Sequence, residues 1–238
     1  MADRAVAITN LIAAQPVRSH SIADYLQRVC QTAAQTLIAS GTGISVLTDD
    51  GVRGVCAASD DRSERVEELQ FLFGEGPCID AFESRRPVLV PDLTDDMAAR
   101  WPMYGPAALA DGIGAVFAFP LQMGAARLGV LDVFCDRPGE LSSDQLNDAM
   151  TFAEITMQTL LDQYEATSDG GTDGDVADAV GYRAQLFQAQ GMVMVQIGGT
   201  LSEAMARMRA YAYAENRRMD EVARDVVARR LQFDQDRP

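Results

Sequence analysis

Apolar residues recur at helical spacing through Ile22, Leu26, Val29, Cys30, Ala33 and Leu37, which predicts an amphipathic helix over 19–40 ended by Gly41 and Gly43. Ser21 and Asp24 stand at its start as an acidic variant of the capping box. The pattern then shortens to two β-rich runs in GISVLTDDGVRGVCAAS, placed around Asp50-Gly51 as in a tight hairpin. A helix over 60–73 follows, and GEGPC breaks it. Residues 87–93 read as a short strand, and a polar stretch containing Trp101 comes next. Two strands, 112–123 and 127–135, meet at a turn around Gly124. Residues 142–165 predict a long helix capped by Ser142 or Ser143. Its apolar stripe is Leu146, Met150, Ala153, Met157, Leu160, Leu161 and Tyr164.

Helix, hairpin, helices, antiparallel strands and helix make residues 1–165 an α+β domain, an antiparallel sheet flanked by helices. Residues 166–180, ATSDGGTDGDVADAV, are small, acidic and glycine-rich; such a segment cannot bury a core and reads as a flexible linker. From 181 to 238 the pattern is purely helical. One helix spans 182–198, and a Gly198-Gly199 turn follows. The capping box Thr200-x-x-Glu203 opens a second helix, with Ala204, Met208, Tyr211 and Ala212 on one face. A third starts near Met219, with Val222, Ala223, Val226 and Val227 inward. So small a three-helix core predicts pairing with a second copy. The apolar length of 142–165, more than one small sheet needs, points to the same homodimer.

Composition narrows the chemistry. All 20 basic residues are arginine, and His20 is the only histidine. That removes the phosphate-gripping and Schiff-base lysines, excludes a multi-histidine metal site, and leaves a Ser-His-Asp triad only His20. Asp49, Asp50, Asp60 and Asp61 sit among turn residues and read as solvated loop carboxylates. Most common catalytic kits are therefore missing, and neither a metal nor a cofactor is expected. Cys30, Cys56, Cys78 and Cys135 lie far apart without a CxxC, as in a reducing cytoplasm. The N-terminus lacks a secretory pattern, and no window approaches the ~18 apolar residues of a membrane span. A cytoplasmic protein without a membrane partner is the expectation. The net charge of −15 is uneven: residues 1–180 hold 11 Arg against 28 acidic residues, and residues 181–238 hold nine against seven. Only the tail could meet a polyanion.

The tail carries Gln188-Ala189-Gln190-Gly191-Met192-Val193-Met194, Ser202-Glu203-Ala204, Met208-Arg209-x-x-Ala212, Asn216-Arg217-Arg218-Met219 and Val222-Ala223. In these motifs residues 182–231 resemble an ANTAR domain, the three-helix RNA-binding module of bacterial transcription antiterminators. The family's usual Ala-Lys-Gly is Ala189-Gln190-Gly191 here, so one family cation is absent. Residues 19–165 resemble a GAF domain, a small-molecule-sensing or dimerising fold. The resemblance rests on Gly74-Glu75-Gly76-Pro77-Cys78-Ile79-Asp80-Ala81, Arg86-Pro87-Val88-x-Val90-Pro91-Asp92-Leu93, Arg100-Trp101-Pro102 and Arg127-Leu128-Gly129-Val130-Leu131. The cyclic-nucleotide signature of that family needs a lysine, which this chain lacks. A phosphoreceiver lysine is missing for the same reason.

The resemblance implies antitermination: paired modules hold RNA hairpins with unpaired loop bases, under control of a GAF ligand whose identity stays open. It points to Ala189, Gln190, Gly191, Arg209, Tyr211, Ala212, Arg217 and Arg218 as RNA-binding residues. Arginine suits phosphate and stacks on unpaired bases. Tyr211 could stack on a base or fill the core, and Gly191 could admit a neighbouring helix or an RNA loop. Cys78, in the Gly-Pro-Cys turn, is the thiol candidate for a ligand or redox role, against a structural buried cysteine. A DNA-binding three-helix regulator and a thiol-based redox protein are the alternatives. The third helix lacks a cluster of Asn, Gln or Arg at its N-terminal end to read a major groove.

Overall fold

The computed structural model describes residues 2–47, 53–94, 100–168, 181–215 and 217–233. The turn at Asp50-Gly51 and linker residues 169–180 lie outside the described residues. Expected helices appear as α2 (Ile22–Thr36), α3 (Asp61–Phe73) and α6 (Ser143–Ser168), and expected strands as β1 (Gly41–Leu47), β2 (Arg53–Ala58), β3 (Val88–Val90), β4 (Ala115–Met123) and β5 (Ala126–Cys135). Three further helices are α1 (Ala2–Ala14), α4 (Pro77–Ser84) and α5 (Tyr104–Ala110). The tail forms α7 (Gly181–Ile197), α8 (Leu201–Ala214) and α9 (Met219–Val227).

Local chemistry sets the helix starts. Ser21 Oγ accepts the Asp24 backbone N–H, but Asp24 does not close a box; its carboxylate takes the Arg18 backbone N–H and pairs with Arg28. Asp60 caps α3 by accepting the backbone N–H groups of Arg62 and Ser63. The Thr200–Glu203 box closes on both sides, since Glu203 N–H donates to Thr200 Oγ1 and Thr200 N–H donates to Glu203 Oε2.

The strands form one antiparallel sheet in the order β2-β1-β5-β4-β3. Period-two alternation sends Phe117, Phe119, Leu131 and Val133 to one face, where α1, α2 and α6 bury them with Leu26 and Phe152. Val116, Val130 and Phe134 point to the other face, under α3, α4 and α5 with Phe82, Trp101 and Tyr104. Helix α1 lays Ile8 and Ile12 into the first layer, and Arg4 bridges to Asp144 and Asp148 on α6. Much of the α6 stripe is thus covered within the chain: Ala153 and Met157 are buried, while Met150 stays exposed. The tail helices close a separate core of Leu186, Ala189, Val193, Met208, Ala212, Val222 and Val226.

Candidate nucleic-acid interface and buried acidic cluster

The three-helix unit sorts the expected RNA-binding residues by depth. Ala189, Gln190 and Ala212 are inside it, at 0%, 1% and 0% exposure. The Gln190 carboxamide donates to the Leu201 carbonyl at 2.8 Å, tying α7 to the start of α8. These three shape the module from within and offer no side chain to a ligand. Gly191 behaves differently: a Cβ built there would meet nothing within 4 Å. Among the described residues, no neighbouring helix therefore requires the glycine. It lines a shallow concavity of about 580 Å³ with Gln188, Met192, Val195, Gln196 and Arg229. Val195 is 73% exposed there, an apolar contact that helical periodicity alone did not single out.

The arginines lie mostly on another side. Arg217 pairs with Asp225 at 2.7 Å and Glu221 at 3.6 Å, and Arg230 also holds Asp225. Those two guanidinium groups, Arg217 first, keep the Asp225 carboxyl below its ordinary range. Arg218 reaches the sheet domain, 2.6 Å from Glu68 and 3.6 Å from Glu64 on α3. Arg209 packs over Gly74 at the end of α3, and Tyr213 meets Phe73 edge to face at 6.1 Å. Between α3 and the tail a hollow of about 370 Å³ is lined by Leu69, Leu72, Phe73, Tyr213, Arg217 and Arg218 among others. Tyr211 packs edge to face with Phe233 at 5.6 Å and is half-buried, a ring that belongs to the module's own core.

Inside the sheet domain is a second cluster. Asp132 lies between Val130 and Phe134 on the same face of β5, completely buried. Its cross-strand partner on β1 is Gly43, where a Cβ would collide with the Glu67 side chain. The glycine lets Glu67 descend from α3 onto the sheet. Glu67 Oε2 accepts from Ser45 Oγ and Gln70 Nε2, each at 3.1 Å, while Gln70 Oε1 accepts the Cys78 backbone N–H at 2.8 Å. Cys78 sits in the first turn of α4, fully buried. Burial pushes the Asp132 carboxyl up to about 6. Burial, with Asp132 beside it, lifts Glu67 well above the usual carboxylate range. Sequence reading singled out Cys78 but missed Glu67 and Asp132; the signal was one acid inside the otherwise apolar run VLDVF.

An α+β domain enclosing a polar cluster, followed by a three-helix unit with a charged face, is a two-part architecture. The chain belongs to the GAF domain family, whose profile matches residues 19–160, and residues 175–227 match the ANTAR domain. Among solved structures, the GAF domain of an Acinetobacter phosphoenolpyruvate-protein phosphotransferase is similar at 16% identity. The likeness covers 70% of this chain and 96% of that one, with a TM-score of 0.53. The GAF domain of the corresponding Coxiella burnetii protein gives the same identity, coverages and TM-score. These likenesses bear on the fold. No curated protein matches the chain in sequence. Among the described residues no helix is long and apolar enough to cross a membrane.

Proposed function

We propose that the chain is a cytoplasmic transcription antitermination regulator, whose ANTAR module binds structured RNA and whose GAF domain senses a signal. The observation that carries this reading is the ANTAR match over residues 175–227, joined to a glycine-lined concavity that the described residues leave open. RNA loop bases would press on Gly191 and Val195, with Arg229 at the edge for phosphate. The protein performs no covalent chemistry; it stabilises one RNA fold, a pair of hairpins, against a terminator by binding that fold alone. The GAF domain acts on a second RNA-contacting face, because α3 holds Arg218 and meets Arg209, two of the arginines that the ANTAR resemblance assigns to RNA, away from the concavity.

Two hairpins call for two modules, and exposed Val6, Leu11 and Met150 on the mutually packed α1 and α6 support a homodimer. Leu11→Glu with Met150→Glu is then expected to give a monomer by light scattering.

Filter binding of the full chain to a paired-hairpin RNA and to its loop-scrambled form tests the RNA reading. The expected result is selective binding of the native loops with a shallow salt dependence, about 2–4 phosphate contacts per module. Equal affinity for both RNAs would remove the mechanism, and preference for duplex DNA would favour the three-helix DNA-binding reading.

A further inference from the structure

The cluster on the α3–α5 side of the sheet has more acceptors than its surroundings satisfy. One ligand atom each from Glu67, Cys78 and Asp132 lies within 4.8 Å of the other two, and all three residues are buried. Three elements supply them: α3, α4 and β5. Among the described residues, Glu67 Oε1, both Asp132 carboxylate oxygens and the Tyr104 hydroxyl make no hydrogen bond of good geometry, and the groups that face Asp132 most closely are Glu67, Cys78 and Gln70 of the cluster itself. Tyr104, at 0% exposure on α5, is close enough for both carboxyl groups and Cys78 to raise its phenol well above the usual range, after burial itself. Buried acids without a counter-charge are costly, and a low-dielectric site favours whatever neutralises them.

We propose that Glu67, Cys78 and Asp132 bind a divalent transition-metal cation inside the GAF domain. This inference identifies a ligand for the sensory half of the function proposed above, and its test involves no RNA. Two carboxylates and a thiolate mix hard and soft donors. That set suits zinc, cobalt(II) or ferrous iron rather than magnesium or calcium, which take oxygen ligands in larger number. Negative charge on the sulfur beside two acids is opposed unless a cation accompanies it, so metal entry and loss of the ligand protons are coupled.

Metal–ligand bonds of ~2.0–2.3 Å place tetrahedral ligand atoms roughly 3.5 Å apart, so side-chain rotation of about 1 Å closes the site. Three protein ligands leave a fourth position for water or a small ligand, with the Tyr104 hydroxyl as its hydrogen-bond donor. Gln70 supports the arrangement from behind, holding Glu67 with its amide nitrogen and the Cys78 backbone with its oxygen. Because the ligands are buried, the cation enters as the chain folds.

The full-length chain is refolded from denaturant with Zn²⁺ or Co²⁺, passed over a chelating column, and analysed for metal content and absorption. The expected result is about one metal per chain, with a thiolate-to-cobalt charge-transfer band in the Co²⁺ form. Cys78→Ser should abolish the band, and Asp132→Asn should lower metal affinity by at least about tenfold. Circular dichroism of both variants checks that they fold. Wild-type protein that folds without retaining metal overturns the proposal. A band that survives Cys78→Ser overturns it equally, by placing the cation at another cysteine.

Discussion

Arg218 of the helical module donates to Glu68 of the sheet domain at 2.6 Å, and Glu68 is the direct neighbour of Glu67 on α3. One helix therefore presents a carboxylate to each side: Glu67 to the buried cluster and Glu68 to the output module. Any shift of α3 that follows occupancy of the cluster reaches Arg218 without an intermediate element. It also moves Phe73, which packs on Tyr213.

Freeing this contact should favour RNA. A partly exposed ion pair contributes about 0.2–1 kcal/mol, so Glu64→Gln with Glu68→Gln should raise RNA affinity by about 1.5- to fivefold. The comparison is a filter-binding titration at fixed salt. Unchanged or weaker binding would mean that the α3 contact does not restrain the module.

Gln190→Lys restores the cation usual in ANTAR motifs, yet the position is internal. The substitution loses the bond to the Leu201 carbonyl and forces an ammonium group into the helical core. We expect destabilisation of about 2–4 kcal/mol, read as a lower thermal midpoint of the tail, and no gain in RNA affinity. Tighter binding at an unchanged midpoint would show the side chain reaching solvent.

Gly191→Ala separates stability from recognition. An added methyl meets open space, and alanine is the better helix former, so the module should gain about 0.5–1 kcal/mol. RNA binding should nevertheless weaken roughly tenfold, or about 1.4 kcal/mol, if a loop presses on that backbone. A variant that is stabilised and binds RNA normally would move the interface away from the concavity.

The buried acids predict a pH dependence in chelator-treated protein. Asp132 titrates at about 6 in the fold against an ordinary 3.8, so the folded state holds a proton that the unfolded chain has released. That contribution is complete below about pH 4 and is lost as pH rises through about 6; the raised Glu67 carries the loss further upward. Asp132→Asn cannot ionise. Its stability relative to wild type should therefore improve between pH 4 and 7 by on the order of 2 kcal/mol in urea unfolding. Parallel pH profiles for the two proteins would contradict the burial of a titrating Asp132.

Sequence by itself determined the elements that repeat a local signal often enough. Helix α2 shows several turns of apolar spacing, β4 and β5 meet at Gly124 with its left-handed φ of 58°, and Thr200 with Glu203 starts α8 as the capping pattern requires. Of the expected inward positions in the tail, Ala204, Met208, Ala212, Val222, Ala223 and Val226 are buried, and Tyr211 and Val227 are only partly so. Helices α4 and α5 span only eight and seven residues, too few turns to establish a period, and α1 buries just Ile8 and Ile12. Their docking depended on surfaces made by distant strands. Periodicity placed Gln190 beside Gly191, but only helix packing turned one inward and left the other facing open space. The buried cluster is the clearest case. Cys78 and Asp132 each carry a local signal and Glu67 carries none, but nothing local joins them; strand register does so by setting Gly43 opposite Asp132 and admitting Glu67. Contacts between residues so far apart are fixed by the pairing of whole elements, which no local pattern of apolar and polar positions encodes.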